Sequence, residues 1–77
     1  MTMADGTQKY GMSDVEYDII ITLSNLLQGM EAMEKYASDA EKAGDSECAT
    51  IFRTLRENNR NSAEQFRSAL RRHLSSK

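Results

Sequence analysis

Two apolar stripes, each stepping by four and three residues in turn and divided by Gly44-Asp45, set the tightest limit on this fold. The first runs Ile19, Leu23, Leu26, Met30, Met33, Ala37, Ala40, broadened by Ile20 and Leu27. The second runs Cys48, Phe52, Leu55, Asn59, Ser62, Phe66, Ala69, His73, with Ile51, Ala63, Leu70 and Leu74 beside it. Such steps keep side chains on one face of an α-helix, whereas a strand repeats every second residue. The chain has no proline, so neither stripe is broken from within.

The ends of the stripes carry their own signals. Ser13-Asp14-Val15-Glu16 spells a capping box, in which the Ser13 hydroxyl takes the Glu16 amide and the Glu16 carboxylate takes the Ser13 amide. Met12 and Tyr17 stand where a hydrophobic staple closes over such a cap, and Asp14, Glu16 and Asp18 suit the positive end of the helix dipole. Gly44 is a left-handed stop, and Asp45 is an N-cap for the second helix. The expected elements are helices over about 14–43 and 46–74, an all-α pair. Residues 1–12, which show no periodicity in MTMADGTQKYG, are expected to be a flexible tail on a hairpin domain of residues 13–77.

So short a turn forces the helices side by side and antiparallel, pairing positions whose numbers add to about 89. Leu23 then meets Phe66, Met30 meets Asn59, Ala37 meets Phe52 and Ala40 meets Cys48, small against large at most levels. Charge agrees. Residues 1–45 hold nine acids and three lysines, and residues 46–77 hold three acids and seven bases, so the two halves attract. The acidic start of the first helix lands beside Arg71 and Arg72.

Two helices leave one side of each stripe wet, and a core this small supplies only about 3–5 kcal/mol. A second copy is the simplest cover, giving a two-fold four-helix bundle. Ile19, Leu23, Leu26, Met30, Met33, Phe52, Leu55, Phe66 and Leu70 are its expected core and dimer interface. A disulfide within the chain is excluded, because Cys48 is the only cysteine, and a lone cysteine fits the cytosol. The longest unbroken run of large apolar residues, Ile19-Ile20-Ile21, is far below the roughly 20 residues of a membrane span. A net charge of -2 gives no bulk attraction for nucleic acid.

Around the turn, Gly44-Asp45, Ala49, Ile51-Phe52-Arg53, Glu57-Asn58 and Ala63 stand in an order that resembles the metal-binding hairpin of the rubrerythrin branch of the ferritin-like proteins. The likeness covers about 20 residues, and extends more weakly into the first helix through Tyr36. It implies half of a four-helix bundle. It also implies a metal site built from a glutamate on one helix and Glu-x-x-His on the next. Those ligand positions fall here at Leu26, Asn59 and Ser62, one apolar and two neutral. A di-iron centre needs carboxylates and imidazoles, so the positions are vacant and no metal or other cofactor is expected.

Other candidate groups favour plain roles. Glu57 with Arg60 lies opposite the stripe and suits a solvated face. Glu34 suits a salt bridge to Arg56, with a metal site across a dimer axis, using Glu31 and Glu34, as the less favoured alternative. His73 suits the negative end of its helix. Cys48 suits a small buried hydrophobe with no histidine near enough to activate it. Asn59 and Ser62 either fix register and oligomer state or sit wet at the stripe's edge. The row Arg53, Arg56, Arg60, Arg67, Arg71 suits salt bridges to the acidic helix better than phosphates, since Glu64 interrupts it and no aromatics interleave. No nucleophile–base pair and no phosphate-binding glycine loop stands out. The expected function is therefore non-enzymatic: an oligomeric helical module that pairs with itself and with another protein. An intersubunit metal or redox site using Glu31, Glu34 or His73 comes second, and nucleic-acid binding through the arginine row third.

Overall fold

The computed structural model describes residues 11–75 and is an all-α antiparallel hairpin. Helix α1 spans Asp14–Lys42 and α2 spans Ser46–Ser75, within one residue of the expected limits. The expected tail lies almost wholly outside the described residues. No helix among those described is long and apolar enough to cross a membrane.

Local chemistry sets the ends. The capping box at Ser13 is complete: Ser13 Oγ accepts from the Glu16 amide at 3.1 Å, and Glu16 Oε1 accepts from the Ser13 amide at 3.2 Å. Two of the four orphan amides at this terminus are thereby satisfied. At the turn, Gly44 takes φ +79°. Its amide donates to Glu41 O at 3.0 Å and the Asp45 amide to Ala40 O at 2.9 Å. That crossed pair is a Schellman cap, which requires a left-handed residue just past the helix. Asp45 then caps α2, its Oδ1 accepting from the Cys48 amide at 3.0 Å. One dipeptide closes the first helix and opens the second.

The register follows the expected pairing. Tyr36 stacks obliquely on Phe52 with ring centroids 5.6 Å apart, Arg56 Nη1 donates to Glu34 Oε2 at 3.3 Å, and Asn59 lies over Gly29. All three pairs sit within about one residue of the antiparallel register. Alanines bring the backbones together: Ala37, Ala49 and Ala63 are buried, and Ala49 is wholly so at 0% exposure. Ile19 is buried, while Leu23, Leu26, Met30, Met33, Phe52, Phe66 and Leu70 are half-buried.

Helix α2 differs from expectation in its rotation. Cys48 and Leu55 are exposed, and their neighbours Ala49 and Arg56 turn inward. The contact face is shifted by about half a residue step, roughly 50°, because Ala49 allows an approach that Cys48 at that point would hold apart. Cys48 is thus a surface thiol and not a small core residue. The same register sets the acidic start of α1 level with Arg71 and Arg72, and among the described residues neither arginine closes an ion pair with it.

Candidate interaction surface

Residues seven apart on a helix lie along one line, so the two flanks of the hairpin can be read from its cross-helix contacts. Arg53 Nη2 lies 2.7 Å from Glu41 Oε2, and Arg56 reaches Glu34. These bonds put Arg53, Arg60, Arg67 and Leu74 on the same side as Ile20, Leu27, Glu34 and Glu41. The opposite flank carries Cys48, Leu55, Ser62 and Ala69 from α2, with Thr22, Gly29 and Tyr36 from α1.

The second flank is uncharged along most of its length. An acidic rim lies at the turn, where Asp39 and Asp45 join Tyr36, Ala40, Cys48 and Phe52 around an open groove of about 360 Å³. Leu55 continues this surface one turn beyond Phe52, 44% exposed.

Midway along it are Leu26, Asn59 and Ser62, the positions to which the resemblance assigns metal ligands. Asn59 Nδ2 donates to the Leu26 carbonyl at 3.3 Å, so two of the three positions adjoin, and Ser62 is half-buried one turn further on. Among the described residues, no group of three or more His, Cys, Asp or Glu side chains converges to hold a metal. Asn59 instead covers Gly29, where a Cβ would stand 2.5 Å from Asn59 Nδ2. Sequence reasoning missed Gly29. The signal was an isolated glycine inside a helical stripe, a position that costs about 1 kcal/mol against alanine and usually has a packing reason. It also missed how deeply Glu16 lies, at 1% exposure.

The other flank carries the charge. Glu34 bonds Arg56 as expected, and Glu57 lies on the exposed side between Arg56 and Arg60. Arg56 Nε is buried without a hydrogen bond, 3.8 Å from Glu57 Oε2. Towards the open end, Leu23, Leu70 and Leu74 with Arg67 and Arg71 form a second groove, of about 440 Å³. His73 is half-buried in the last turn of α2.

The chain's one thiol is poorly set for chemistry. The Asp45 side chain hydrogen-bonds the Cys48 thiol, and its charge adds to the effect, so the thiol pKa is pushed up. Less thiolate at neutral pH means a weaker nucleophile and a weaker metal ligand. Asp45 moves the other way: the Cys48 amide, then the thiol, hold its carboxylate below its ordinary range.

No family model matches the chain, and no curated protein or solved structure matches it either.

Proposed function

We propose that this hairpin is a non-enzymatic interaction module that works as a homodimer, its two copies paired through the uncharged flank. The observation that carries this reading is the poverty of the core within one copy. Four apolar residues are buried, three of them alanines, while nine large hydrophobic residues among those described are 40% or more exposed. Burying one large apolar side chain contributes about 1.5–3 kcal/mol, and alanine far less. A second copy would supply part of the missing burial, covering Tyr36 and Leu55 and the half-buried residues next to them.

Charge selects the flank. Across a two-fold axis each flank meets itself or its neighbour from the other copy. The uncharged flank does so without setting like charges together, and places Asn59 and its two-fold mate near the middle. The bond to Leu26 uses one amide hydrogen, leaving the amide oxygen as an acceptor that can specify register. The weak chemistry of Cys48 supports the non-enzymatic part, and the single thiol supports a reducing, cytosolic setting. Pairing through this flank leaves the arginine side free for another protein.

Light scattering at micromolar concentration tests the reading, with an expected mass about twice the 8.7 kDa of one chain. Leu55→Glu on the uncharged flank should lower that mass towards one chain. Leu27→Glu, on the charged flank and 52% exposed, should not. A cooperative, folded monomer for the wild type would refute dimerisation, and a monomeric Leu27→Glu with a dimeric Leu55→Glu would assign the wrong flank.

A further inference from the structure

The row of five arginines along the charged flank of α2 divides into two groups. Arg53, Arg56 and Arg60 are each held by a glutamate, at 2.7, 3.3 and 3.4 Å from Glu41, Glu34 and Glu57. Arg67 and Arg71 lie further along the same flank, and among the described residues neither is in an ion pair. They are one helical turn apart, and both line the groove whose apolar surface is Leu23, Leu70 and Leu74. Leu74 is 58% exposed. Two uncompensated guanidinium groups therefore border an open leucine groove, on the flank that the proposed dimer does not use.

We propose that this groove docks an acidic amphipathic helix of another protein. Such a helix presents apolar residues at positions i, i+3, i+4 and i+7, and acids on the positions alongside. Its apolar stripe would fill the groove over Leu23, Leu70 and Leu74. Carboxylates one turn apart would meet Arg67 and Arg71, each able to accept the guanidinium's paired N–H donors.

Charge separates this occupant from the others. Residues 1–10 hold one acid, Asp5, and one base, Lys9, so that segment brings no net charge to answer two arginines. A second copy would offer Glu34 and Glu41 from this flank of α1, which Arg56 and Arg53 already hold, and beside them Glu31 alone, one carboxylate for two arginines. A nucleic acid would gain from the full row of arginines, but three of the five are neutralised by glutamates and the surface between the remaining two is leucine.

The proposal rests on the charged flank being outside the dimer, and its test separates the two readings. The probe is a fluorescein-labelled peptide of about 18 residues, five helical turns, with leucine on one stripe and glutamate beside it. Its twin carries lysine for glutamate. Anisotropy with the full-length protein should show the acidic peptide binding with a Kd on the order of 10–100 μM, and more weakly as salt rises. R67E/R71E, checked for folding by circular dichroism, should weaken binding by about tenfold or more, and R67A/R71A by less. Neither should change the mass by light scattering.

Equal binding of the lysine twin, unchanged binding by R67E/R71E, or no binding of the acidic peptide overturns the proposal. Loss of the dimer in R67E/R71E would make a second copy the occupant, and binding seen only after residues 1–10 are deleted would make that segment the occupant. Both overturn it. A monomeric wild type that still binds the acidic peptide through Arg67 and Arg71 would refute the dimer and leave this inference standing.

Discussion

Asp45 and Cys48 show how one short turn couples stability to thiol chemistry. The Asp45 carboxylate accepts from the Cys48 amide and meets the thiol as well, and the two groups shift in opposite directions. Asp45 titrates below its unfolded value, so its contribution to stability is present above the ordinary carboxyl range. It is lost as pH falls through the lowered folded value. Asp45→Asn keeps an N-cap acceptor while removing the charge, and should flatten the acid side of the stability curve without unfolding the protein at neutral pH. The same substitution lowers the Cys48 pKa. Iodoacetamide should then alkylate Cys48 several-fold faster at pH 7, with the rate profile moved to lower pH, as mass spectrometry would show; an unchanged profile would detach Asp45 from the thiol. Gly29 and Asn59 form the other telling pair. Alanine at 29 gains about 1 kcal/mol of helix propensity, but its Cβ displaces Asn59 from the Leu26 carbonyl, a bond worth about 0.5–1.5 kcal/mol. Gly29→Ala should therefore be near neutral in the wild type and stabilising by about 1 kcal/mol in an Asn59→Ala background. Additive urea midpoints for the two changes would mean that the pair does not interact.

Each helix is specified at its ends by side-chain caps and along its length by contact with its partner. Helices of 29 and 30 residues with polar outer faces owe most of their stability to that contact. Loss of the Ser13 hydroxyl leaves the Glu16 amide unanswered in a cap that is otherwise complete, and Ser13→Ala should cost about 1 kcal/mol by thermal or urea unfolding. Arg56 is the weak point of the helix–helix contact. It sits on the inward face with Nε buried and unbonded, while its exposed partner Glu34 screens it only partly. A hydrophobic residue of similar length can fill the same path without that desolvation. Arg56→Met should equal or exceed the wild type in stability, whereas Arg56→Ala should fall below it by about 1 kcal/mol or more through lost packing. If Arg56→Met were the more damaging of the two, the Glu34 bond would be worth more than the geometry indicates.

The described hairpin is a rod of 54 × 19 × 17 Å, long for the amount of core it holds. Residues half-buried along its length, among them Leu23, Leu26, Met33 and Phe66, leave apolar surface that a further layer would cover. If that layer is a second copy, folding and association are one equilibrium, and apparent stability rises with concentration. Each tenfold increase should add about 1.4 kcal/mol and raise the melting temperature by about 3–5 °C. A concentration-independent melt with a single cooperative transition would show that one hairpin folds alone. The proposed dimerisation through the uncharged flank would leave outside the glutamate-held arginines and, beyond them, the leucine groove with Arg67 and Arg71.

Much of this was settled by the chain itself. The stop at Gly44, the caps at Ser13 and Asp45, the helix limits and the antiparallel register depend on local geometry and on spacing, so they are legible residue by residue. So was the bond between Glu34 and Arg56, which register alone brings together. Tertiary packing decided the rest. A wide stripe leaves the rotation of α2 open by about half a residue step, and only the close approach permitted by Ala49 and Ala63 turned Arg56 inward and left Leu55 and Cys48 outside. Gly29 acquired its purpose from Asn59 on the other helix. The unpaired state of Arg67 and Arg71 could not be seen in a charge count, because ion pairs form between side chains that meet within about 4 Å, whereas composition records only that both signs are present.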